Sequence, residues 1–139
     1  SQQGTPSQWA NRAIAVYDKW EADAVVIEVN QGGDMVRHTL ESIRPGIPIV
    51  EVRATRGKHV RAEPISSLYS LGRISHVGTF PELEDQMCQM TAGGFDGEGS
   101  PDRVDAMVWG FTHLFPKLVE RPSVARKRLT PRGATGWMG

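Results

Sequence analysis

Two short β-branched runs constrain this chain more than anything else in it. "ADAVVIEV" (22–29) and "IPIVEVRA" (47–54) are each too short for a helix and are bounded by polar or turn-forming residues. Between them lie a Gly-Gly turn and a stretch in which Met35, Val36, Leu40 and Ile43 recur at helical spacing, closed by Pro45-Gly46. Strand, helix and strand in that order imply an α/β layer architecture with at least some parallel pairing. Ahead of the first run, Thr5-Pro6-Ser7 opens a predicted helix carrying Trp9, Ala13, Val16, Tyr17 and Trp20.

Beyond the second run, "RGKHVRAEPISSLYSLG" reads as a basic loop followed by a helix through Ile65, Leu68, Tyr69 and Leu71, stopped at Gly72. "RISHVG" reads as a short strand, and "FPELEDQMCQM" as a helix with Leu83, Met87 and Met90 inward. "TAGGFDGEGSP" is rich in glycine and reads as a mobile loop. Ser100-Pro101 then predicts a helix start, with Ser100 as N-cap and Pro101 at the first helical position. Val104, Met107, Val108, Phe111 and Phe115 follow at helical spacing. Past Pro116 no apolar periodicity remains, so 1–116 is expected to fold and 117–139 to form a basic, disordered tail.

Charge sharpens that division. The 139 residues are formally neutral, yet from Lys117 onward there are six Lys/Arg and one acid, which makes the tail +5 and the body −5. A chain of this length can bury a real core as one domain. It contains no apolar run near the roughly 18 residues that a membrane span needs. The single Cys88 excludes an internal disulfide and points to a reducing, intracellular setting; in a Met-rich helix it reads as core rather than as a nucleophile. The histidines at 38, 59, 76 and 113 have no metal-ligand spacing and read as structural or surface residues.

Three constellations could carry chemistry. Glu28 stands where the first apolar run ends, and in open α/β sheets functional groups gather at the carboxyl ends of strands. An acid with its head in water at a strand end is the plainer reading. The following "NQGGD" offers glycines that serve either as turn-makers or as backbone a phosphate can approach, through Asn30, Gly32 and Gly33. It has neither dinucleotide nor phosphate-loop spacing.

Asp102 and Asp105 lie three apart on one face of the last helix. Asp102 suits the helix dipole, but Asp105 fits poorly as a solvated flank beside Val104, Val108 and Trp109. Two like charges on one face need a cation between them, which a divalent metal would supply. With Glu28 they would form an acidic pocket suited to two-metal phosphodiester hydrolysis. Arg53, Arg56, Lys58 and Arg61 form a basic strip, read either as a solvated loop or as sequence-blind phosphate contacts to DNA.

"PSQWANRAIAVYDKWEAD", "VIEVNQGGDMV", "ATRGKHVRAEPISSLYSLGRISHVGTFPELEDQM" and "SPDRVDAMVWG", in this order, resemble the C-terminal nuclease domain of the terminase large subunit of tailed bacteriophages. The last also resembles the Asp-x-x-Asp-Ala pattern of the final helix in Holliday-junction resolvases.

The resemblance implies an RNase H-like mixed sheet flanked by helices, and a metal-dependent endonuclease that cuts concatemeric double-stranded viral DNA with two magnesium or manganese ions. It makes Glu28 the middle-strand acid and Asp102 or Asp105 the last-helix acid. Implied partners are duplex DNA, the terminase ATPase domain, the portal and the small terminase subunit, with no membrane, in the cytoplasm of an infected bacterial host. In that family an earlier strand carries another catalytic Asp, whereas residues 1–8 contain no acid. The expectation is therefore the latter part of such a domain, lacking its N-terminal strands and open to self-association along a sheet edge. A non-catalytic DNA- or partner-binding module with structural acids is the alternative.

Overall fold

The computed structural model describes residues 4–29 and 34–119. Helix α1 (Pro6–Lys19) leads into strand β1 (Val25–Glu28), helix α2 (Asp34–Ile43) and strand β2 (Ile49–Val52). β1 and β2 pair in parallel, Val25 opposite Ile49 through Glu28 opposite Val52. This is the strand–helix–strand unit that the two β-branched runs predict. α1 is set at its start by Pro6, whose missing N–H falls where a helix has no use for one, and by Gln8, whose Oε1 accepts the Thr5 N–H at 3.0 Å. It packs on α2, so that Ala10 and Ile14 bury with Ile27, Val29, Leu40 and Ile47.

The second half is helical. Helix α3 (Lys58–Ser70), helix α4 (Pro81–Cys88), a hairpin of strands β3 (Met90–Thr91) and β4 (Gly94–Phe95), helix α5 (Asp102–Leu114) and the short helix α6 (Pro116–Val119) follow. Ile65 of α3 and Val104 and Val108 of α5 form its buried centre, with Leu68, Tyr69, Leu83, Met87 and Phe111 packed around them. The fold is a mixed α/β arrangement with small sheets. The two apolar clusters meet chiefly where α5 lies against β1.

Several sequence expectations change. Lys58 and Arg61 belong to the first turn of α3 rather than to a loop, because Lys, Arg, Ala and Glu favour helix even when they form a charge cluster. Residues 73–78 form no strand. Ile74 and His76 turn inward while Ser75 and Val77 are exposed, a period of two created by packing without any strand beside it. The glycine-rich segment closes the β3–β4 hairpin, where Gly94 takes φ +129°, a conformation that L side chains rarely adopt.

Cys88 is exposed at the end of α4, and its neighbour Met87 makes the apolar contact instead. Ordered chain runs past the boundary expected at 116, since α6 packs Val119 against the second cluster. The remainder of the predicted tail, and Asn30, Gly32 and Gly33, lie outside the described residues. No helix among the described residues is long and apolar enough to cross a membrane.

Candidate functional site

The packing of α3 on α5 decides which polar residues meet. Ile65 seats α3 on Val104 and Val108, and one or two turns toward the start of α3 this puts Arg61 and Lys58 over the start of α5. The backbone at that start is capped from α4, where Gln86 Oε1 accepts the N–H groups of Arg103 and Val104 at 3.1 and 3.4 Å. α5 begins at Asp102, one residue later than Ser100-Pro101 predicts. Ser100 is used differently: its Oγ accepts from Lys58 Nζ at 2.9 Å.

Asp105 is the one buried charged residue among those described, 7% exposed. Its two oxygens go to two different cations. Arg61 Nη2 donates to Oδ1 at 2.6 Å, and Lys58 Nζ lies 3.3 Å from Oδ2. The same ammonium stands 3.9 Å from Asp102 Oδ1. Asp102 is held below the usual carboxylate range chiefly by its hydrogen bond with Ser100; desolvation opposes this, and the charge of Lys58 adds a smaller lowering.

Arg61 and Lys58 differ in how firmly they are fixed. The Arg61 side chain is 11% exposed, donates through Nη1 to the Arg56 carbonyl at 2.6 Å, and lies 4.8 Å over the ring of Trp109. That is a locked cation, although its buried Nε has no hydrogen-bond partner. Lys58 is 41% exposed and sits on a long flexible stem. The basic strip of the sequence thus divides. Arg53 and Arg56 are exposed, while Arg61 faces inward.

Glu28 reaches the same helix by a longer route. Trp109 Nε1 donates to Glu28 Oε2 at 3.2 Å, one turn of α5 beyond Asp105. A polar chain therefore runs from Glu28 through Trp109 and Arg61 to Asp105, Lys58 and Ser100. Trp109, Ser100 and Gln86 were not legible as site residues. Trp109 reads as part of the apolar stripe, and its only clue is a spacing of four from Asp105, which puts the two on one helical face.

Do these acids suit a metal? Asp102 and Asp105 share the Lys58 ammonium and Asp105 is paired with Arg61 as well, so side chains of this chain already meet their charge. They do not fit the two-ion centre expected from the sequence. Among the described residues no three His, Cys, Asp or Glu side chains gather closely enough to hold an ion, and Glu28 is turned to Trp109.

The model of one protein family, described as the terminase RNaseH-like domain, matches residues 1–114. No curated protein and no solved structure matches the chain.

Proposed function

The chain belongs to the terminase RNaseH-like domain family, and from that premise we propose that it is the nuclease module of a phage DNA-packaging terminase large subunit. The proposed reaction is metal-dependent endonucleolytic cleavage of concatemeric double-stranded viral DNA. What carries the reading is the extent of the family match, residues 1–114, which takes in Glu28, Asp102, Asp105 and the basic residues from Arg53 to Arg61. Its partners would be duplex DNA, the ATPase domain, the portal and the small terminase subunit, in the cytoplasm of an infected bacterial host.

Family membership suggests magnesium or manganese, which would supply an activated water and offset charge on the phosphorus; Glu28, Asp102 and Asp105 would hold it only with Glu28 released from Trp109 and Lys58 from the two acids. The chain's own residues do the rest. Arg61 fixes the Asp105 carboxylate from beneath, in a pair too buried to move cheaply. Arg53 and Arg56, exposed just beyond the end of β2, hold phosphates of either strand, and Asn30, Gly32 and Gly33 are proposed as further DNA-binding residues. Lys58 stands between the two groups and can serve either.

A second reading is favoured by one observation: the cations against Asp105 are side chains of this chain, and no three-donor metal group forms among the described residues. On that reading the module binds DNA or a packaging partner without cutting. A plasmid assay in manganese separates the two, with Glu28→Ala and Asp102→Asn beside the parent chain. Nicking that both substitutions abolish supports the endonuclease. Duplex binding with no cleavage in any divalent metal supports the binding module.

A further inference from the structure

We propose that the groove between the end of α3 and the α5–α6 junction is a docking site for an acidic amphipathic helix of a partner protein. The inference stands apart from the nuclease reading, since it uses none of the residues gathered around Asp105.

The groove follows from how the last two helices meet. α5 stops at Leu114 and Pro116 opens α6 at once, so Phe115, as a residue before proline does, leaves the helical region at φ −132°. The N–H groups of Leu118 and Val119 both donate to the Phe115 carbonyl, at 3.0 and 3.2 Å, and fix the corner. Phe115 also stacks on Phe111, with ring centres 6.4 Å apart. A cavity of about 340 Å³ opens between this corner and the chain after α3, with Leu68, Ile74 and Phe111 as its inner wall. Phe115 and Leu118 stand at its mouth, each 46% exposed. Large apolar groups exposed together in a groove mark an interaction site.

Charge says what kind of chain fits. The stretches that build the groove, 64–75 and 106–119, contain no Asp or Glu. Their Lys and Arg residues are Arg73, which lines the cavity, and Lys117, which lies between Phe115 and Leu118 in sequence; both are exposed. No ion pair among the described residues involves either. An acidic helix would bring its apolar stripe to Phe115 and Leu118 and its carboxylates to the two cations. An extended peptide would lack a strand to pair with, because none of the described strands lines the groove. Residues 120–139 of this chain are the wrong occupant, with five Lys/Arg against one acid. A second copy seated symmetrically would set the same cations against themselves.

Fluorescence anisotropy with two synthetic helical peptides tests the assignment, one with Leu and Phe along one face and Glu elsewhere, the other with Lys replacing Glu. The unaltered chain should bind the acidic peptide about tenfold more tightly, a difference that two exposed ion pairs can supply. Arg73→Glu with Lys117→Glu should reverse the preference without harming the fold, since both positions are exposed. In amide nitrogen-15 spectra of the unaltered protein, the acidic peptide should shift signals of 68–75 and 111–119, a readout that needs no variant. The proposal is overturned if the two peptides bind equally, if the double variant keeps the original preference, or if the shifts fall elsewhere. Self-association that Leu118→Ser abolishes would give the groove to a second copy, and displacement of the peptide by duplex DNA would give it to nucleic acid; either result also overturns it.

Discussion

The indole N–H of Trp109 donates to Glu28 Oε2 at 3.2 Å, joining residues 81 positions apart across the junction of the two apolar clusters. The same ring carries the Arg61 guanidinium on its face. One side chain thus orients the strand-end acid and the cation that fixes Asp105. Trp109→Phe keeps an aromatic face for Arg61 and removes the donor, so the expected loss is about 1 kcal/mol. Trp109→Ala removes both and should cost clearly more. Urea unfolding of the two variants makes the comparison, and equal losses would mean that the hydrogen bond contributes everything and the stacking nothing.

Asp102 and Asp105 should separate sharply in stability. Asp105→Ala leaves Arg61 buried without its anion, and removing one partner of a buried pair costs roughly 3–5 kcal/mol. Asp102 is half exposed, and the loss of an exposed charge is worth at most about 1 kcal/mol. Similar midpoints for the two variants in chemical denaturation would contradict the burial-based assignment.

The division of the basic strip predicts two phenotypes. Arg53→Ala with Arg56→Ala should weaken binding to every duplex about equally and reduce the salt slope by up to about 2, with the melting temperature unchanged. Arg61→Ala should instead lower the melting temperature. Affinity and unfolding measured on the same preparations decide it, and an Arg61→Ala protein that is fully stable but deficient in DNA binding would put Arg61 back on the surface.

A pH dependence follows from the far side of α4. His76 Nδ1 lies 2.9 Å from Glu84 Oε1, its Nε2 lies 2.8 Å from the Tyr69 hydroxyl, and the Phe80 N–H also donates to Glu84. These bonds, His76 first, hold the Glu84 carboxyl below its ordinary value. A carboxyl depressed in the folded state contributes stability that is present above its unfolded value, about 4.3, and is lost as pH falls through the folded value. The parent chain should therefore melt higher than Glu84→Gln near neutrality, and the gap should close as the solution is acidified below about pH 4. A gap that widens with acid would reverse the sign and exclude this account.

What the sequence revealed depended on distance along the chain. Val25–Ile27 and Ile49–Val52 announce two strands because they are short and β-branched, and the helix between them makes the pairing parallel. Asp102 and Asp105 announce a shared face because their spacing is local. The misfit of Asp105 as a solvated residue was legible too, and so was its need for a cation. That the cation is Lys58 was not, because the contact depends on how α3 lies across α5, and nothing near either residue records that packing. Ile74 and His76 misled for the same reason, since their alternation reflects helices beside them rather than a strand. Membership of the terminase family bears on the whole of this arrangement, yet the reach of Trp109 to Glu28 appears only in three dimensions.

The seam between α5 and β1 has a consequence for motion. Ala10, Ile14 and Leu40 belong to one apolar cluster and Ile65, Val104 and Val108 to another. Amide protons within each cluster should exchange as separate cooperative groups, because little apolar surface ties one opening event to the other. The polar chain from Glu28 to Lys58 spans that seam, so a separation of the two clusters would break the bond between Trp109 and Glu28 without disturbing either core.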